Sequence, residues 1–243
     1  MSYRFLASVY DWVAPKFSRY RSPELLTSKV LGLAPNSCEL LDVGVGTGLS
    51  IAPYFSSSRF KHIVGIDPSS KMLARCRRKF TNIQLYEGTL DTVQFHLNSP
   101  FDIIQSCGAV EHVSDFPAFI RQVASLLKPG GYFVFTFEPV ILFSKRQASN
   151  APHIGTLGLE NVFRRKPHDV HTILADNGFS IFEDLEFKAY LGFIHHLVVA
   201  QSGMGGDGVL DDALPNESTQ RSARKSSAHQ HRHAAHGPAE RER

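Results

Sequence analysis

The sequence lacks the features that mark several large classes of protein. It has three cysteines in 243 residues. Cys38, Cys76 and Cys107 are odd in number and without metal-site spacing, so we expect reduced thiols. No run approaches eighteen apolar residues, and the opening MSYRFLASVYDW has no signal-peptide core, so we expect no membrane span. These absences predict a soluble, cytoplasmic protein.

The sequence also lacks a strong excess of charge of either sign. The formal net charge of +3 is too small to favour nucleic acid as a partner, and there is no basic stripe or nucleic-acid module. The hydrophobic fraction of 42% and charged fraction of 20% are typical of a globular protein. The length fits one domain with additional segments.

The stretch ELLDVGVGTGLS, at 39–50, is the most informative part of the chain. An apolar run interrupted only by Asp42 leads into three glycines, Gly44, Gly46 and Gly48. Glycine lets the backbone approach a ligand and adopt a positive φ, and a following helix would present free N–H groups to that ligand. The pattern indicates a nucleotide-like ligand, although glycine-rich turns also follow strands for purely structural reasons.

An acidic residue at a characteristic distance strengthens this interpretation. The apolar run at 63–66 predicts a second strand, which ends at Asp67, about twenty residues after the glycines. In dinucleotide-binding folds a carboxylate at that place accepts hydrogen bonds from ribose hydroxyls. The order strand, glycine turn, helix, strand and acid therefore predicts an adenosine-bearing ligand.

These segments resemble a known family. The block LLDVGVGTGLS, followed by GIDPSSKMLARCRRK, is similar to the first two motifs of the class I S-adenosylmethionine-dependent methyltransferases. The stretch FDIIQSCGAVEHVSDFPAFIRQVASLLKPGGYFVFTF resembles their fourth strand, the next helix and the fifth strand. The resemblance covers 36–138 strongly and 167–200 more loosely. Nicotinamide enzymes usually carry G-x-G-x-x-G instead, which this chain does not match here.

The resemblance implies an α/β fold, with a Rossmann-like, doubly wound sheet of seven strands, mostly parallel and closed by a C-terminal antiparallel hairpin. We expect an N-terminal helical cap at 1–34, the methyltransferase domain at 35–200 and a disordered tail at 201–243, in which scattered histidines bind metal at most adventitiously. Residues 139–166 are expected to form a long loop or short helices beside the ligand edge. The pattern predicts helices at 22–32, 49–55, 69–80, 116–127 and 168–177, and strands at 40–43, 63–66, 82–87, 101–107, 132–137, 179–187 and 190–200.

The resemblance also implies which residues hold S-adenosylmethionine. Asp42 is expected near the amino group of the cofactor and Asp67 on the ribose hydroxyls. The family often has an aspartate after the third strand where this chain has Thr89, so Thr89, the backbone of Leu90, or Asp91 is expected to contact the adenine. The predicted cofactor-binding residues are Asp42, Gly44, Val45, Gly46, Gly48, Asp67, Pro68, Met72, Thr89, Leu90 and Cys107.

Catalytic residues are harder to predict from the sequence, because methyl transfer from a sulfonium needs mainly alignment of donor and acceptor and exclusion of water. Glu111 and His112 resemble the Glu-His-Val segment of the ubiquinone-pathway O-methyltransferases. His112 can deprotonate or orient a hydroxyl, or it can simply pack against the following helix. Some relatives hold a divalent ion with Glu-x-x-Glu-His. Gly108 replaces one of those carboxylates, so we predict no metal.

Three further residues near the ligand edge are weaker candidates. Glu138 follows the fifth strand. His195 and His196 are adjacent on a strand and should face opposite sides, so that at most one points inward.

The sequence therefore predicts an S-adenosylmethionine-dependent methyltransferase that acts on a small molecule at oxygen. Two alternatives stay open. One is an enzyme that binds the same cofactor for non-methylating chemistry such as a cyclisation. The other is a non-catalytic domain that binds a nucleotide-like ligand. The sequence does not predict the acceptor or the oligomeric state.

Overall fold

A computed structural model describes residues 21–97, 100–140, 153–154, 161–189 and 193–203, all within the compact unit Met1–Gly205. The aromatic N-terminal arm, most of the segment expected to lie beside the ligand edge and the tail from residue 204 fall outside the described residues. The three-part division at 1–34, 35–200 and 201–243 stays a prediction.

The predicted sheet is confirmed. Its seven strands lie in the order β3-β2-β1-β4-β5-β9-β8, while β6 and β7 pair separately. The first five strands are mutually parallel, whereas β9 runs antiparallel to both β5 and β8. The strands are β1 (Cys38–Val43), β2 (Phe60–Asp67), β3 (Gln84–Glu87), β4 (Phe101–Ser106), β5 (Leu127–Phe137), β6 (His153–Ile154), β7 (Asn161–Val162), β8 (Phe179–Lys188) and β9 (Ile194–Ser202).

The helices cover both faces of this sheet. Leu26 of the first helix and Leu73 of the second belong to one apolar cluster, whereas Phe116 of the fourth and Leu174 of the fifth belong to the other. This three-layer arrangement explains why the central strands are apolar on both faces. The helices are α1 (Ser22–Leu33), α2 (Ser70–Lys79), α3 (Leu90–Val93), α4 (Phe116–Leu126) and α5 (Pro167–Asp176).

Side-chain caps fix where two of these helices begin. Ser69 accepts a hydrogen bond from the N–H of Met72 at the start of α2. Asp115 accepts one from the N–H of Ala118 at 2.9 Å at the start of α4. Each cap satisfies a backbone donor that the helix itself leaves unpaired. Both caps stand at the carboxyl edge of the sheet, so they also fix the chain that borders the functional site.

The predicted helix at 49–55 is wrong. Turns follow the glycines, and a short 3₁₀ helix spans Ala52–Ser56. Pro53 accounts for the difference: it has no N–H to bond the carbonyl of Leu49, and its ring would clash with that carbonyl in an α-helix. The argument that a helix dipole assists the glycine turn therefore does not apply to this protein.

Candidate active site

A single cavity joins the turns that leave the carboxyl ends of β1, β2, β3 and β4. Its volume is about 810 Å³, within the range of small-molecule sites. Open α/β sheets bind ligands at this edge. Ten of the predicted site residues line it: Gly44, Val45, Gly46, Asp67, Pro68, Met72, Thr89, Leu90, Cys107 and His112.

The three glycines of the turn have different roles. Gly44 has φ +82°, and a Cβ there would lie 2.3 Å from the Cβ of Ala109, so this glycine lets two turns pack together. Gly46 has φ +55°, and the nearest atom to a Cβ there would be 3.9 Å away, so its open side faces the cavity. Gly48 does not line the cavity. A Cβ at Gly48 would lie 2.6 Å from the ring of Phe80, so Gly48 is required by packing.

Backbone N–H groups hold both carboxylate oxygens of Asp67. Its Oδ2 accepts a hydrogen bond from the N–H of Gly46 at 2.9 Å, and its Oδ1 accepts one from the N–H of Ser69 at 2.8 Å. Burial raises the pKa of Asp67, while these two bonds and nearby His112 oppose that rise. Each carboxylate oxygen has a second lone pair, so the fixed side chain can accept two further donors from a ligand.

Asp42 lies beneath the cavity instead of in its wall. Its side chain is 0% exposed, and its Oδ2 accepts a hydrogen bond from the hydroxyl of Ser50 at 2.9 Å. Gln105, its register partner on β4, and Ser50 both stabilise the charged form of Asp42. Burial raises the pKa of Asp42 to about 7. The expected contact with the cofactor amino group stays a prediction, and the structure gives Asp42 a supporting place under the turn.

The third strand ends in a small polar group in which Asp91 takes part. Thr89 and Asp91 both line the cavity, and the hydroxyl of Thr89 donates a hydrogen bond to Oδ1 of Asp91. The hydroxyl of Thr92 accepts from the N–H of Thr89 at 3.0 Å and fixes the start of α3. Asp91 is one of the three groups that the sequence left open as the contact to adenine, and its carboxylate is therefore available at the cavity.

Glu111 and His112 diverge although they are adjacent. Both lie on a 3₁₀ turn, Val110–His112. His112 lines the cavity, but Glu111 does not. The carboxyl group of Glu111 is 5% exposed, and its Oε2 has no hydrogen-bond partner in the described chain. Burial, with a contribution from Glu138, raises the pKa of Glu111 to about 7. Of the predicted catalytic pair, His112 therefore lines the cavity and Glu111 is buried behind it, and both catalytic roles stay predictions.

The remaining acidic and histidine candidates form contacts inside the fold. Glu138 accepts a hydrogen bond from Arg164 at 2.8 Å. His195 packs against Phe187, whereas His196 bonds Asp184 at 2.7 Å on the other face. The two histidines do alternate, but both are buried, because helices cover both faces of the sheet. The expectation that at most one points inward is wrong.

Sequence analysis missed several residues of the site. Pro23 of α1 reaches the cavity, and Ala109, Ser114, Asp115 and Phe119 form its wall beyond β4. The sequence signal for Ala109, Ser114 and Asp115 is their place between a strand and the next helix, whereas Pro23 and Phe119 lie inside helices. Thr27 links α1 to the glycine turn, since its hydroxyl donates to the carbonyl of Ser50 at 2.8 Å. The helix in the predicted cap thus also borders the ligand site.

Candidate metal sites and membrane-spanning helices are both absent from the described residues. No group of three or more histidine, cysteine or acidic side chains is arranged to hold a metal ion there. None of the helices in that part of the chain has both the length and the apolar character needed to cross a membrane. No disulfide joins the three cysteines, all of which lie in the described residues, and Cys107 is the partly exposed one among them.

The fold and the site together define a class of protein. A doubly wound α/β sheet presents a glycine turn and a backbone-braced aspartate to one cavity, as a nucleoside-bearing ligand requires. A family model described as a methyltransferase domain matches residues 41–135.

Relatives and solved structures agree with this class. The ubiquinone biosynthesis O-methyltransferase of Rhodopseudomonas palustris (strain BisB18) is 30% identical over 134 residues, covering 54% of this chain and 49% of that protein. The chain thus spans about half the length of the curated relatives it matches.

Two solved structures share the fold at lower identity. Magnesium protoporphyrin IX methyltransferase from Synechocystis PCC 6803 with bound S-adenosylmethionine has a TM-score of 0.57 at 19% identity, over 76% of this chain and 79% of that one. The cyclase SpnF has a TM-score of 0.57 at 16% identity, over 75% and 81%. The family match over 41–135, the order of the motifs and the sheet topology are those of the class I S-adenosylmethionine-dependent methyltransferases, the class that this part of the chain is similar to.

Proposed function

We propose that this protein transfers the methyl group of S-adenosylmethionine to an oxygen atom of a small-molecule acceptor. The observation that carries the proposal is the state of Asp67. Both of its carboxylate oxygens are held by backbone N–H groups, of Gly46 and Ser69, at the wall of the cavity. An aspartate fixed in this way is preorganised to accept the two hydroxyls of a ribose.

The other residues of the cavity fit the same cofactor. The open side of Gly46 lets a ligand approach the backbone, and Pro68, Met72 and Leu90 supply apolar wall beside the carboxylate of Asp91. An apolar wall with a few placed polar groups suits an adenine ring. When bound, the cofactor supplies an activated methyl group on a sulfonium.

His112 is the residue we assign to the acceptor. It shares the cavity with Asp67 and lies on the turn after β4. Transfer of that methyl group to the acceptor oxygen would leave the electron pair of the carbon–sulfur bond on sulfur and would free the hydroxyl proton. The hydroxyl proton then needs an acceptor, and the imidazole of His112 takes it.

Two observations favour a small hydroxylated acceptor. The Rhodopseudomonas relative is named as an O-methyltransferase of ubiquinone biosynthesis, and the cavity has the volume of a small-ligand site. Three cysteines that form no disulfide in the described part of the chain favour a reducing, cytosolic location. Fractionation of cells that express the full chain tests that location.

Calorimetry with S-adenosylmethionine and S-adenosylhomocysteine tests the cofactor site. Asp67→Ala should weaken binding of both by about 1.5–3 kcal/mol, roughly ten- to a hundredfold, because it removes a charged acceptor. Asp102→Ala is the matched control: Asp102 also accepts a backbone N–H bond, from Glu39 at 2.8 Å, but lies outside the cavity. Equal affinities in the wild type and in Asp67→Ala would contradict the assignment.

Product analysis tests the reaction itself. The protein is incubated with S-adenosylmethionine and a panel of phenols, catechols, amines and carboxylic acids, and S-adenosylhomocysteine is quantified by mass spectrometry. We expect it to form only with hydroxyl acceptors. The fold shared with a cyclase makes this control necessary. Binding of the cofactor without its consumption across the panel would contradict the proposed function.

A further inference from the structure

The turn that carries His112 is held from outside the cavity by one guanidinium group. Nη1 of Arg165 donates hydrogen bonds to the carbonyl of Val110 at 3.2 Å and to that of Phe163 at 2.9 Å. Its Nη2 donates to the carbonyl of Val113. Val110 begins the short 3₁₀ turn, and its carbonyl also accepts a hydrogen bond from the N–H of Val113 at 3.1 Å, while Val113 directly follows the turn. A single side chain therefore bonds the carbonyls at both ends of the turn.

The backbone beside Arg165 is fixed to the same turn and to the end of β5. The N–H of Phe163 donates to the carbonyl of Glu111 at 2.7 Å, and the N–H of Val140 donates to the carbonyl of Arg165 at 3.1 Å. Pro139 and Arg165 also form a parallel bridge. The guanidinium consequently starts from a fixed backbone position, so its bonds transmit that position to the turn.

The surroundings of the guanidinium favour arginine over any other residue. Its Cζ lies 4.5 Å from the centre of the Phe116 ring, at the start of α4. Burial lowers the pKa of Arg165 to about 10, with nearby Glu111 opposing the change, so the group is charged at neutral pH. A planar fork can bond several carbonyls while it stacks on a ring, whereas a lysine ammonium is a point donor on a flexible stem.

We propose that Arg165 is a positioning residue, which holds the His112 turn in the wall of the cavity and thereby sets where His112 meets the acceptor. This inference rests on the proposed function for its catalytic consequence. Its structural content, the dependence of the His112 environment on Arg165, stands without it. Arg165 does not line the cavity, so it acts through His112 and not on the cofactor.

The test compares Arg165→Gln with Arg164→Gln in the full chain. Arg164 is the adjacent residue and pairs with Glu138 instead of the turn, so it controls for loss of a partly buried arginine. The ring Cε1–Hε1 resonances are recorded with and without S-adenosylhomocysteine on protein labelled in its histidines. The His112 signal is assigned by its disappearance in His112→Asn. Arg165→Lys is added as a conservative variant that keeps the charge.

We expect the His112 signal to shift or broaden in Arg165→Gln, to change less in Arg165→Lys and to match the wild type in Arg164→Gln. Affinity for S-adenosylhomocysteine should stay within about twofold of the wild type. With an acceptor from the panel, kcat should fall about ten- to a hundredfold in Arg165→Gln, with KM for S-adenosylmethionine nearly unchanged.

An unchanged His112 signal and unchanged kcat in folded Arg165→Gln would overturn the inference. If Arg165→Gln does not fold, the same outcome in Arg165→Lys would overturn it. Failure of the proposed function gives a different result, since the wild type would then form no S-adenosylhomocysteine with any acceptor of the panel, whether or not it binds this ligand. The His112 signals of the ligand-free variants would still decide the role of Arg165.

Discussion

Two turns at the same edge of the sheet use a buried acid in opposite ways. After β2, Asp67 accepts two backbone N–H groups and faces the cavity. After β4, Glu111 is equally enclosed but does not reach the cavity, and its Oε2 has no partner in the described chain. Burial raises the pKa of both carboxyl groups. A raised pKa therefore does not separate the two roles.

The difference lies in how the neighbouring backbone is arranged. The glycine turn directs the N–H of Gly46 at Asp67, which keeps one lone pair of each oxygen available to a ligand. The 3₁₀ turn after β4 places Glu111 and His112 on different sides, and only His112 enters the cavity. Backbone hydrogen bonds also oppose the rise in the pKa of Glu111, so the direction of the side chain at the turn, more than acidity, burial or backbone donors, separates the two acids.

The largest effect is expected where the two turns touch. Gly44→Ala would place a Cβ 2.3 Å from the Cβ of Ala109. It should lower the free energy of unfolding by about 2–5 kcal/mol, the sum of left-handed strain and overpacking. Gly46→Ala has the same class of strain but open space, so its loss should be about 1–2 kcal/mol. Urea unfolding measures both, and equal losses would contradict this division between the glycines.

A second experiment tests the comparison through the pH dependence of the free energy of unfolding. Burial raises the pKa of Glu111 from 4.5 and of Asp42 from 3.8, each to about 7. At pH values between the unfolded and the folded pKa, each carboxyl group keeps in the folded state a proton that it has released in the unfolded state. Each group therefore makes the protein less stable as pH rises towards 7, by about 1.4 kcal/mol per pH unit.

Glu111→Gln and Asp42→Asn should each remove that contribution. Urea unfolding between pH 5 and pH 8 should give a free energy of unfolding that declines less steeply with pH in each variant than in the wild type. Parallel curves for the three proteins would show that neither carboxyl group keeps its proton in the fold, and the interpretation of both sites would fail.

The smallest predicted effect concerns the third turn of this edge, where the expected acid is replaced by Thr89. We expect Asp91→Ala to weaken S-adenosylhomocysteine binding about fivefold, since one hydrogen bond to the adenine amino group is lost. An analogue with hypoxanthine in place of adenine should bind the wild type more weakly than S-adenosylhomocysteine does. In Asp91→Ala the two ligands should bind with equal affinity. Thr89→Val, which removes only the hydroxyl that bonds Asp91, should have a smaller effect. Retention of adenine preference in Asp91→Ala would contradict the contact.

Much of the fold could be predicted because its signals are local. Ser69 caps a helix as expected, and the strand and turn order gave the parallel sheet with its antiparallel end. The helix after the glycines could not be recovered by analogy to the motif, because Pro53 acts within this particular segment. The burial of both His195 and His196 required knowing that helices cover each face of the sheet.

The site divides in the same manner. Motif spacing fixes the positions of Gly46, Asp67 and Met72, because short strands and tight turns restrict where these residues can lie. All three line the cavity. Whether Asp42 or Glu111 reaches the cavity depends on side-chain direction at a turn, which residue spacing does not specify. Arg165 carries no motif at all. It is fifty-two residues from Val113, so only the path of the chain brings its guanidinium to the turn.

By itself, the sequence determined the class of this protein, because a glycine turn and a strand-end aspartate are local arrangements that act over a few residues. Tertiary structure alone decided which acids face the ligand, why Gly44 and Gly48 cannot have side chains, and how His112 is held. Those properties arise from contacts between segments far apart in the chain. Their geometry is set when the sheet and its covering helices pack together.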